Sequence, residues 1–380
     1  MNNKTFTRAW RPLTAKGKTT AVSGHPTIRA LRILHVLFSS KIAGSERYCA
    51  DLANGQADLG HEVHVAGNYG APITSLLSKD VIFHGLRSPF LRGMKLRRLI
   101  TGAAIEIGHA HLGPACRALA SAPDHVTKIA TLHVGFKERQ HARLDGVICV
   151  NSTQITRLGG YAGHAQVISN WLPANTNDSA LDLRSRLGLR PGIKIIGAVG
   201  RLHPSKGFDM LVSAFRKSAP DDAVLVIVGE GSHRAALAKM AAGDSRIHLP
   251  GHCDNVTGFL GCLDVFVSPS REETFGLAIL EAMREGLPVI TTATEGPSEY
   301  LRHYPVTFVE PGSADNLSRA LADALRPQRI VGAGSVVYDL SPFSRSTGVA
   351  NVLDFYWQVA NAAGKPVTGI SARPMLTSAW

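Results

Sequence analysis

The chain has 380 residues, of which 44% are hydrophobic and 18% charged, and its formal net charge is +12. This length and composition suit two globular domains and exclude a wholly disordered chain. No run of about 18 apolar residues occurs, so no membrane-spanning helix is expected. Aromatic residues make up 6% and are not interleaved with basic ones, which argues against nucleic acid as the partner of the positive charge.

The first 27 residues are basic and contain no acidic residue. We interpret residues 1–27 as a basic disordered tail; an over-long start and an organellar transit peptide are the alternatives. The five cysteines are odd in number and form no CxxC pair, which indicates reduced thiols. We therefore expect a cytoplasmic protein, with peripheral contact at the inner face of the plasma membrane left open.

Short apolar strands alternate with helices along most of the chain. Strands are predicted at 31–38, 62–66, 129–132, 147–150, 193–199, 223–228, 246–249, 265–267 and 288–291. Helices are predicted at 45–59, 208–217, 233–240, 276–284 and 314–325. Continuous apolar strands separated by helices favour parallel sheets covered on both faces. The sequence therefore predicts an α/β protein with two doubly wound domains at 28–170 and 171–345, a helix at 346–362 and a tail at 363–380.

Basic and apolar residues are mixed between positions 87 and 98. The basic residues are Arg87, Arg92, Lys95, Arg97 and Arg98, and they stand beside Pro89, Phe90, Leu91 and Leu96. Such a mixture suits contact with an anionic membrane surface. A solvated helix face accounts for it equally well, and both interpretations stay open.

The segment 268–283 carries the strongest indication of a ligand site. Glu273 falls in a polar loop after a strand, where its carboxylate can accept hydrogen bonds from sugar hydroxyls. Glu281, eight positions later, falls inside the next helix, where it can accept from a ribose diol. The helix start, whose free amides form an anion site, comprises Thr274, Phe275, Gly276 and Leu277. A helix cap at Glu273 and a surface charge at Glu281 are the alternative interpretation.

A second segment, 200–207, directly follows the strand predicted at 193–199. It begins with Gly200 and carries two cations, Arg201 and Lys206, on a loop between strand and helix. Two cations there could neutralise a diphosphate leaving group as its bond breaks. A surface turn with two solvated cations is the alternative.

Two glycine-containing segments give weaker indications. Gly44, between the first strand and the first helix, permits close approach of a ligand to the backbone, although Ser45 could be a simple N-cap. Gly229 and Gly231 follow a strand as in a dinucleotide fingerprint, but Arg234 stands at the third glycine position. We interpret this loop as lying near a nucleotide base or ribose and not as a nicotinamide site.

Histidines stand at two predicted strand ends. His133 could orient a sugar or acceptor hydroxyl, or be a structural histidine. His109 and His111 are two positions apart, and we expect strand alternation to point them to opposite faces. Without an acidic or cysteine partner nearby, they predict no metal site.

Together these segments resemble the retaining glycosyltransferases of family four, which have the GT-B architecture of two Rossmann-like domains facing across a cleft. Glu273 and Glu281 match the family motif of two glutamates separated by seven residues, and Gly200-Arg201 and Lys206-Gly207 also match. The resemblance covers roughly residues 31–360 and is strongest from 195 to 281. Three features depart from the family: a single glycine at Gly44, Asn170-Trp171 where Asn-Gly is common, and the basic N-terminal tail, which has no counterpart in the pattern.

The resemblance implies a role for each of these residues. Glu273 would contact the donor sugar and Glu281 the nucleotide ribose, while Arg201 and Lys206 would hold the diphosphate. Gly44 would lie under the donor phosphates and His133 near the reacting sugar. The first domain would take the acceptor and the second the sugar nucleotide, and the helix at 346–362 would cross back onto the first domain.

The resemblance also implies the reaction. A hexose-type sugar would pass from a nucleotide-diphosphate sugar, a UDP-sugar or GDP-mannose, to a saccharide or lipid-linked acceptor in lipopolysaccharide or exopolysaccharide biosynthesis. No cofactor and no bound metal are expected, and the chain lacks an Asp-x-Asp triplet. A sugar-nucleotide epimerase or phosphorylase on the same architecture, and a non-catalytic sugar-nucleotide-binding protein, are the alternatives.

Overall fold

The computed structural model describes residues 30–173, 181–326, 335–365 and 367. The predicted tail at 1–27 lies outside these residues, as do most of the predicted tail at 363–380 and residues 174–180 near the start of the second predicted domain. Within the described residues, no helix is both long enough and apolar enough to cross a membrane. All five cysteines are free thiols, and Cys49, Cys116 and Cys149 are buried.

The first part of the chain forms a seven-stranded sheet. Its strands are β1 (Arg32–Leu37), β2 (Glu62–Asn68), β3 (Val81–Leu86), β4 (Ile107–His111), β5 (Thr127–Leu132), β6 (Gly146–Cys149) and β7 (His164–Val167). Their spatial order is β3-β2-β1-β4-β5-β6-β7, and all pairings are parallel. Strands β4, β5 and β6 are buried along their whole length, as expected of a parallel sheet covered on both faces.

The second part forms a six-stranded sheet. Its strands are β8 (Lys194–Val199), β9 (Ala223–Val228), β10 (Ile247–Gly251), β11 (Val265–Ser268), β12 (Val289–Thr292) and β13 (Thr307–Val309). The order is β10-β9-β8-β11-β12-β13, again with parallel pairings. Neighbouring residues of β8 point into different cores: Ile196 packs in one hydrophobic cluster and Ile195 in another. The two doubly wound α/β sheets confirm the predicted fold class.

Helices flank both sheets. They are α1 (Gly44–Asp58), α2 (Arg92–Gly102), α3 (Gly113–Leu119), α4 (Glu138–His141), α5 (Ser152–Thr156), α6 (Leu183–Arg186), α7 (Phe208–Ser218), α8 (Arg234–Ala241), α9 (Val256–Leu260), α10 (Leu277–Arg284), α11 (Glu295–Tyr300), α12 (Ala314–Ala324) and α13 (Arg345–Ala362). Short 3₁₀ turns occur at Pro72–Leu76, Pro204–Lys206 and Ser341–Phe343.

The strand order reverses between β1 and β4 in the first sheet, and between β8 and β11 in the second. Open parallel sheets bind ligands at such switch points, beyond the carboxyl ends of the strands. The loops there are 38–43 after β1, 200–207 after β8 and 269–276 after β11. All three contain or adjoin residues that the sequence marked as candidates.

Helix α13 follows the second sheet in the chain but packs on the first. Val352, Phe355 and Tyr356 share a hydrophobic cluster with Ile33 of β1 and Ile107 of β4. A helix thus lies where the crossover was expected, and its apolar face completes the core of the first sheet.

Trp171 fixes the connection between the two sheets. Its indole is buried, lies 4.7 Å from the ring of Tyr48 in α1, and donates through Nε1 to Asp51. A Cβ at Gly348 of α13 would come within 2.1 Å of the indole, so only glycine fits there. The tryptophan that stands in place of the family's glycine therefore docks the linker onto α1 and α13.

Four strands have no predicted range: β3, β4, β7 and β13. The sequence indicated β4 only as a strand end at His109 and His111, because a glycine and two histidines interrupt its apolar run. Strands β3, β7 and β13 each lie at an edge of their sheet and are partly exposed. Edge strands need no continuous apolar run, because one side of the strand faces solvent. Their sequences therefore lack the signal that identified the central strands.

Candidate active site

The predicted residues of the second domain meet at one ion pair. Lys206 Nζ lies 2.5 Å from Glu273 Oε2, and the side chains are 24% and 13% exposed. The same carboxylate oxygen accepts a hydrogen bond from Ser270 Oγ at 3.3 Å. Within the described chain, Oε1 of Glu273 has no hydrogen-bond partner and is left for a ligand.

The loop around Lys206 is held against the loop around Glu273 by short-range packing. Gly207 has a φ of +65°, and a Cβ there would lie 2.0 Å from the Pro269 carbonyl oxygen, so both the backbone conformation and the close approach require glycine. Arg271 forms a bidentate ion pair with Asp209, at 2.7 and 2.6 Å, and its amide donates to the Ser205 carbonyl. These contacts set the position of Lys206 relative to Glu273.

Helix α10 begins at the same place. Gly276, at its N-cap, has a φ of +90°, and the amides of Phe275, Gly276 and Leu277 have no partner among the described residues. Unpaired amides at a helix start carry a partial positive charge that favours an anion. A Cβ at Gly44 would lie 3.9 Å from the Leu277 side chain, so the start of α1 in the first domain faces this helix start.

Glu281 lies one turn into α10 and is half-buried. Burial raises the pKa of its carboxyl, and the charges of Arg284 and Arg47 partly oppose that rise. Its side chain makes no hydrogen bond or ion pair within the described part of the protein. A partly buried carboxylate with unfilled acceptor sites is suited to bind hydroxyl groups of a ligand.

His133 reaches the site from the first domain. Its backbone carbonyl accepts from Thr274 Oγ1 at 3.3 Å, next to Glu273 in the chain. Its ring is partly buried and packs edge-on against Tyr48 at 5.1 Å. Burial lowers the pKa of His133 to about 4, so the ring is neutral at physiological pH.

Further contacts join the two domains beside His133. Asn151 caps α5 and also donates through Nδ2 to the Thr274 carbonyl at 2.8 Å. Glu299 accepts from the amide and hydroxyl of Ser152, and Arg157 pairs with Glu295 at 2.6 Å. The first-domain residues therefore contact the loop that carries Glu273.

Three other predicted residues, Arg201, Gly229 and Gly231, take no part in the Lys206–Glu273 pair. Arg201 is exposed and makes no ion pair with any described residue, so it is not drawn into the Lys206–Glu273 pair. A Cβ at Gly229 would lie 1.8 Å from the Gly200 carbonyl oxygen, and one at Gly231 would lie 2.2 Å from the Leu202 carbonyl oxygen. Close packing between the loops after β8 and β9 thus accounts for these glycines without a ligand.

The expectation that His109 and His111 point to opposite faces is wrong. Their rings stack with centroids 4.4 Å apart. Alternation along a strand separates neighbours, whereas residues two apart share a face. With His35 they form a buried group in which one ring nitrogen from each residue lies within 4.8 Å of the other two.

Sequence reasoning assigned no role to Arg47, Asn151 or Tyr48, which also lie at the site. Arg47 is in the same segment as Gly44, one helical turn further on, and its charge acts on Glu281. Its basic side chain and its spacing from Gly44 could have marked it in the sequence as a candidate site residue. Asn151 gave only the pattern of an N-cap, and its contact to Thr274 depends on the pairing of the two domains.

Two Rossmann-like sheets with facing switch points, joined by a returning C-terminal helix, define the GT-B class of glycosyltransferase architecture. A solved structure of this class, HepE of Anabaena in complex with UDP and glucose, superposes with a TM-score of 0.67 and 19% identity, covering 88% of this chain and 99% of that one. Family profiles agree: "Glycosyltransferase Family 4" matches residues 42–175 and "Glycosyl transferases group 1" matches residues 193–326.

Curated relatives specify the family. A GDP-mannose-dependent alpha-(1-6)-phosphatidylinositol monomannoside mannosyltransferase of Mycobacterium tuberculosis is 31% identical over 278 residues, 61% of this chain and 70% of the relative. The lipopolysaccharide core biosynthesis glycosyltransferase LpsE of Rhizobium meliloti is 30% identical over 166 residues, 43% of this chain. This match spans 48% of LpsE, about half its length. The chain belongs to glycosyltransferase family 4.

Proposed function

We propose that the protein is a retaining glycosyltransferase that moves a hexose-type sugar from a nucleotide-diphosphate sugar to a saccharide or lipid-linked acceptor. The observation that carries the proposal is the Lys206–Glu273 pair beside the open start of α10, with unpaired Glu281 one turn further on. The amides at 275–277 lie in the chain between Glu273 and Glu281, which suits a diphosphate that joins a sugar to a ribose.

Each group has a chemical task in this proposal. Lys206 and the amides at 275–277 stabilise the negative charge that develops on the leaving diphosphate. Arg201, exposed and unpaired among the described residues, is free to add a second positive charge. Glu273 binds sugar hydroxyls through Oε1, and Glu281 binds the ribose diol. With Glu273 assigned to the sugar hydroxyls and Glu281 to the ribose, the described site residues leave no carboxylate to act as a covalent nucleophile, which favours attack on the face from which the diphosphate departs.

The relatives support a proposal for the donor and the pathway. The neighbour HepE was solved with UDP and glucose, and the mycobacterial relative is GDP-mannose-dependent, so a UDP-sugar or GDP-mannose is the proposed donor. LpsE acts in lipopolysaccharide core biosynthesis, which supports an acceptor in cell-surface glycan synthesis. We propose that neither a cofactor nor a bound metal takes part.

An acceptor at a lipid surface is supported by the segment 87–98, where apolar and basic side chains are exposed together. Phe90 is 94% exposed, Leu91 43% and Met94 45%. Exposed apolar residues beside cations are typical of proteins that dock on anionic membranes. We include peripheral docking at the cytoplasmic membrane face in the proposal.

The test is a panel of sugar nucleotides assayed by thermal shift and by transfer to added acceptors. Replacing Lys206 by alanine should lower kcat/KM about 100-fold or more for the preferred donor. The variant loses one positive group that stabilises the negative charge developing on the leaving diphosphate. Lys217, which pairs with Asp315 on the surface at 2.7 Å, is the matched control. Lys217→Ala should keep wild-type turnover.

Other results would contradict the proposed function or the role of Lys206. Conversion of the sugar nucleotide without any acceptor indicates an epimerase, and donor binding without turnover over many acceptors indicates a binding protein. Equal turnover in Lys206→Ala and Lys217→Ala would remove Lys206 from the site. Anomeric analysis of the product tests retention directly.

A further inference from the structure

A chain of four buried or partly buried side chains runs from the core of the first domain to His133. His133 Nε2 lies 3.1 Å from His111 Nδ1, and His111 Nε2 lies 3.1 Å from His35 Nδ1. His35 Nε2 lies 2.8 Å from the Oε1 atom of Gln56 in α1. We call Gln56, His35, His111 and His133 the histidine chain.

The hydrogen-bond direction along the histidine chain follows from its Gln56 end. A carbonyl oxygen only accepts, so His35 carries its proton on Nε2 and accepts at Nδ1. His111 must then donate from Nε2 and accept at Nδ1, and His133 must donate from Nε2. For a neutral ring this leaves Nδ1 of His133 without a proton and, among the described residues, without a partner.

The neighbours of Gln56 are also paired with the amide placed in this way. Its amide nitrogen donates to Tyr356 Oη in α13 at 3.2 Å, and that hydroxyl donates to His109 Nδ1 at 2.6 Å. His109 then donates from Nε2 to Thr131 Oγ1 at 2.8 Å. Each of these bonds joins a donor to an acceptor, and turning the amide over would reverse all of them and protonate His133 on Nδ1.

The rings of the histidine chain must be neutral for this arrangement. A protonated imidazole has two donors and no acceptor, so protonation of His35 or His111 would break the chain, and protonation of His133 would remove its acceptor at Nδ1. Burial lowers the pKa of His35 and of His133 to about 4 and lowers that of His111 well below its ordinary value. The chain therefore persists at physiological pH.

We propose that His111 and His35 are positioning residues that hold His133 in the tautomer protonated on Nε2. Nδ1 of His133 is then presented as a hydrogen-bond acceptor to a hydroxyl of the donor sugar. This inference rests on the proposed function, because it names a ligand group for His133. Because the tautomer is already fixed in the free protein, binding of the sugar hydroxyl does not carry the free-energy cost of selecting it.

A metal ion bound by His35, His109 and His111 is the competing interpretation of the same cluster. All six ring nitrogens of these residues already have hydrogen-bond partners. The cluster also has no acidic ligand among the described residues to offset a buried cation. The hydrogen-bonded chain explains every nitrogen without an ion.

The kinetic test compares substitutions at two stacked histidines of β4. His111→Phe removes the acceptor for His133 and should lower kcat about tenfold, the effect of losing one positioned hydrogen bond. His111→Asn keeps an acceptor at the position of Nδ1 and should restore most of that loss. His109→Phe is the matched control, because a phenyl ring keeps the stacking on His111 while His109 is hydrogen-bonded to the chain only through Tyr356. The kcat of this variant should stay within about threefold of wild type. Melting temperatures check that each variant folds.

The direct test is nitrogen NMR of the ¹⁵N-histidine-labelled protein without substrate, with His133→Gln identifying the resonance. His133 should be neutral and protonated on Nε2 at pH 7, and His111→Phe should convert it to a mixture of tautomers. An Nδ1-protonated His133 in the wild type overturns the proposal, as does an equal kcat loss in His109→Phe and His111→Phe. A stoichiometric metal that copurifies and whose removal shifts the histidine signals also overturns it.

This NMR experiment separates the inference from the proposed function. If the wild-type protein transfers no sugar from any donor, the proposed function fails whatever the tautomer is. If transfer occurs and the tautomer is independent of His111, only the positioning role fails.

Discussion

Glu273 and Glu281 belong to one motif but have opposite surroundings. Glu273 is neutralised by Lys206, whereas Glu281 is half-buried without an ion pair or hydrogen bond in the described structure. Burying an uncompensated carboxylate costs folding free energy. A residue that destabilises the free protein in this way is typical of a ligand site.

Replacing Glu281 by glutamine should separate function from stability. We expect donor affinity to fall between about 10-fold and 100-fold, because hydrogen bonds to a charged acceptor are lost. The folded-state pKa is raised above the ordinary 4.5, so the native state loses stability as pH rises from that value through the raised pKa. The free energy of unfolding at pH 7 should therefore be unchanged or higher in Glu281→Gln, measured by urea denaturation.

Glu285, one turn further along α10, is the matched control, since it pairs with Arg284 at 3.5 Å. Glu285→Gln should leave donor affinity unchanged. Tight donor binding by Glu281→Gln, measured by calorimetry, would contradict the ribose role.

Helix α2 buries one face and exposes another. Leu96 and Ile100 pack in the core of the first sheet, while Met94 and the cations Arg97 and Arg98 face solvent. The helix was open to two interpretations from sequence, because a solvated face and a membrane-docking face share the same periodicity. The exposed apolar side chains at its start favour docking.

The exposed cations and apolar side chains of the segment 87–98 predict that the protein binds anionic vesicles. Replacing Arg87, Lys95 and Arg98 together by glutamine should weaken binding at least tenfold, since each cation near such a surface contributes about 1 kcal/mol. Binding by the wild type should also weaken as salt increases. Co-sedimentation with vesicles containing phosphatidylserine or phosphatidylglycerol measures both effects.

The control for net charge replaces Arg190, Lys239 and Arg302, three exposed cations of the second domain, by glutamine. Both triple variants lower the formal charge by three. Equal vesicle binding by the two variants, or no vesicle binding by the wild type, would reject α2 as a docking helix.

The stability of the whole molecule depends on keeping the buried histidines neutral. His35, His109, His111 and His133 lie between the first sheet and helices α1 and α13, so their protonation would disturb the packing of the returning helix. Burial lowers the pKa of each ring, whereas the unfolded chain titrates near 6.5.

Stability should therefore fall steeply on acidification. Between pH 6.5 and about 4 the unfolded state binds protons that native His35 and His133 do not, so each of these two lowers the free energy of unfolding by about 1.4 kcal/mol for each unit by which the pH falls. The lowered pKa values of His109 and His111 act in the same direction. Urea denaturation at pH 7, 6 and 5 measures the slope. His109→Phe should reduce the slope of the free energy of unfolding against pH by the contribution of one histidine. An unchanged slope would mean that His109 is protonated in the folded protein.

The central elements could be predicted from sequence because their signals are local. Strand β9 was predicted at its observed bounds, and α7 and α12 within one residue, since periodicity and glycine or proline boundaries lie within a few residues of each element. Edge strands β3, β7 and β13 were missed, because partial exposure removes the apolar run. The two-domain α/β class followed from the alternation and is confirmed.

The candidate site was predictable as segments and not as an arrangement. Glycines, cations and glutamates at 200–207 and 273–281 mark ligand loops through local chemistry. That Lys206 meets Glu273, that Gly44 faces Leu277 and that Arg201 stays unpaired are facts of the fold, because strand order and domain pairing set which loops meet. The sequence by itself determined the class of protein and the chemistry of its loops. Only the tertiary structure decided how the loops face each other and joined three histidines from three strand regions, with Gln56, into one chain, because such contacts span distances over which no local pattern persists.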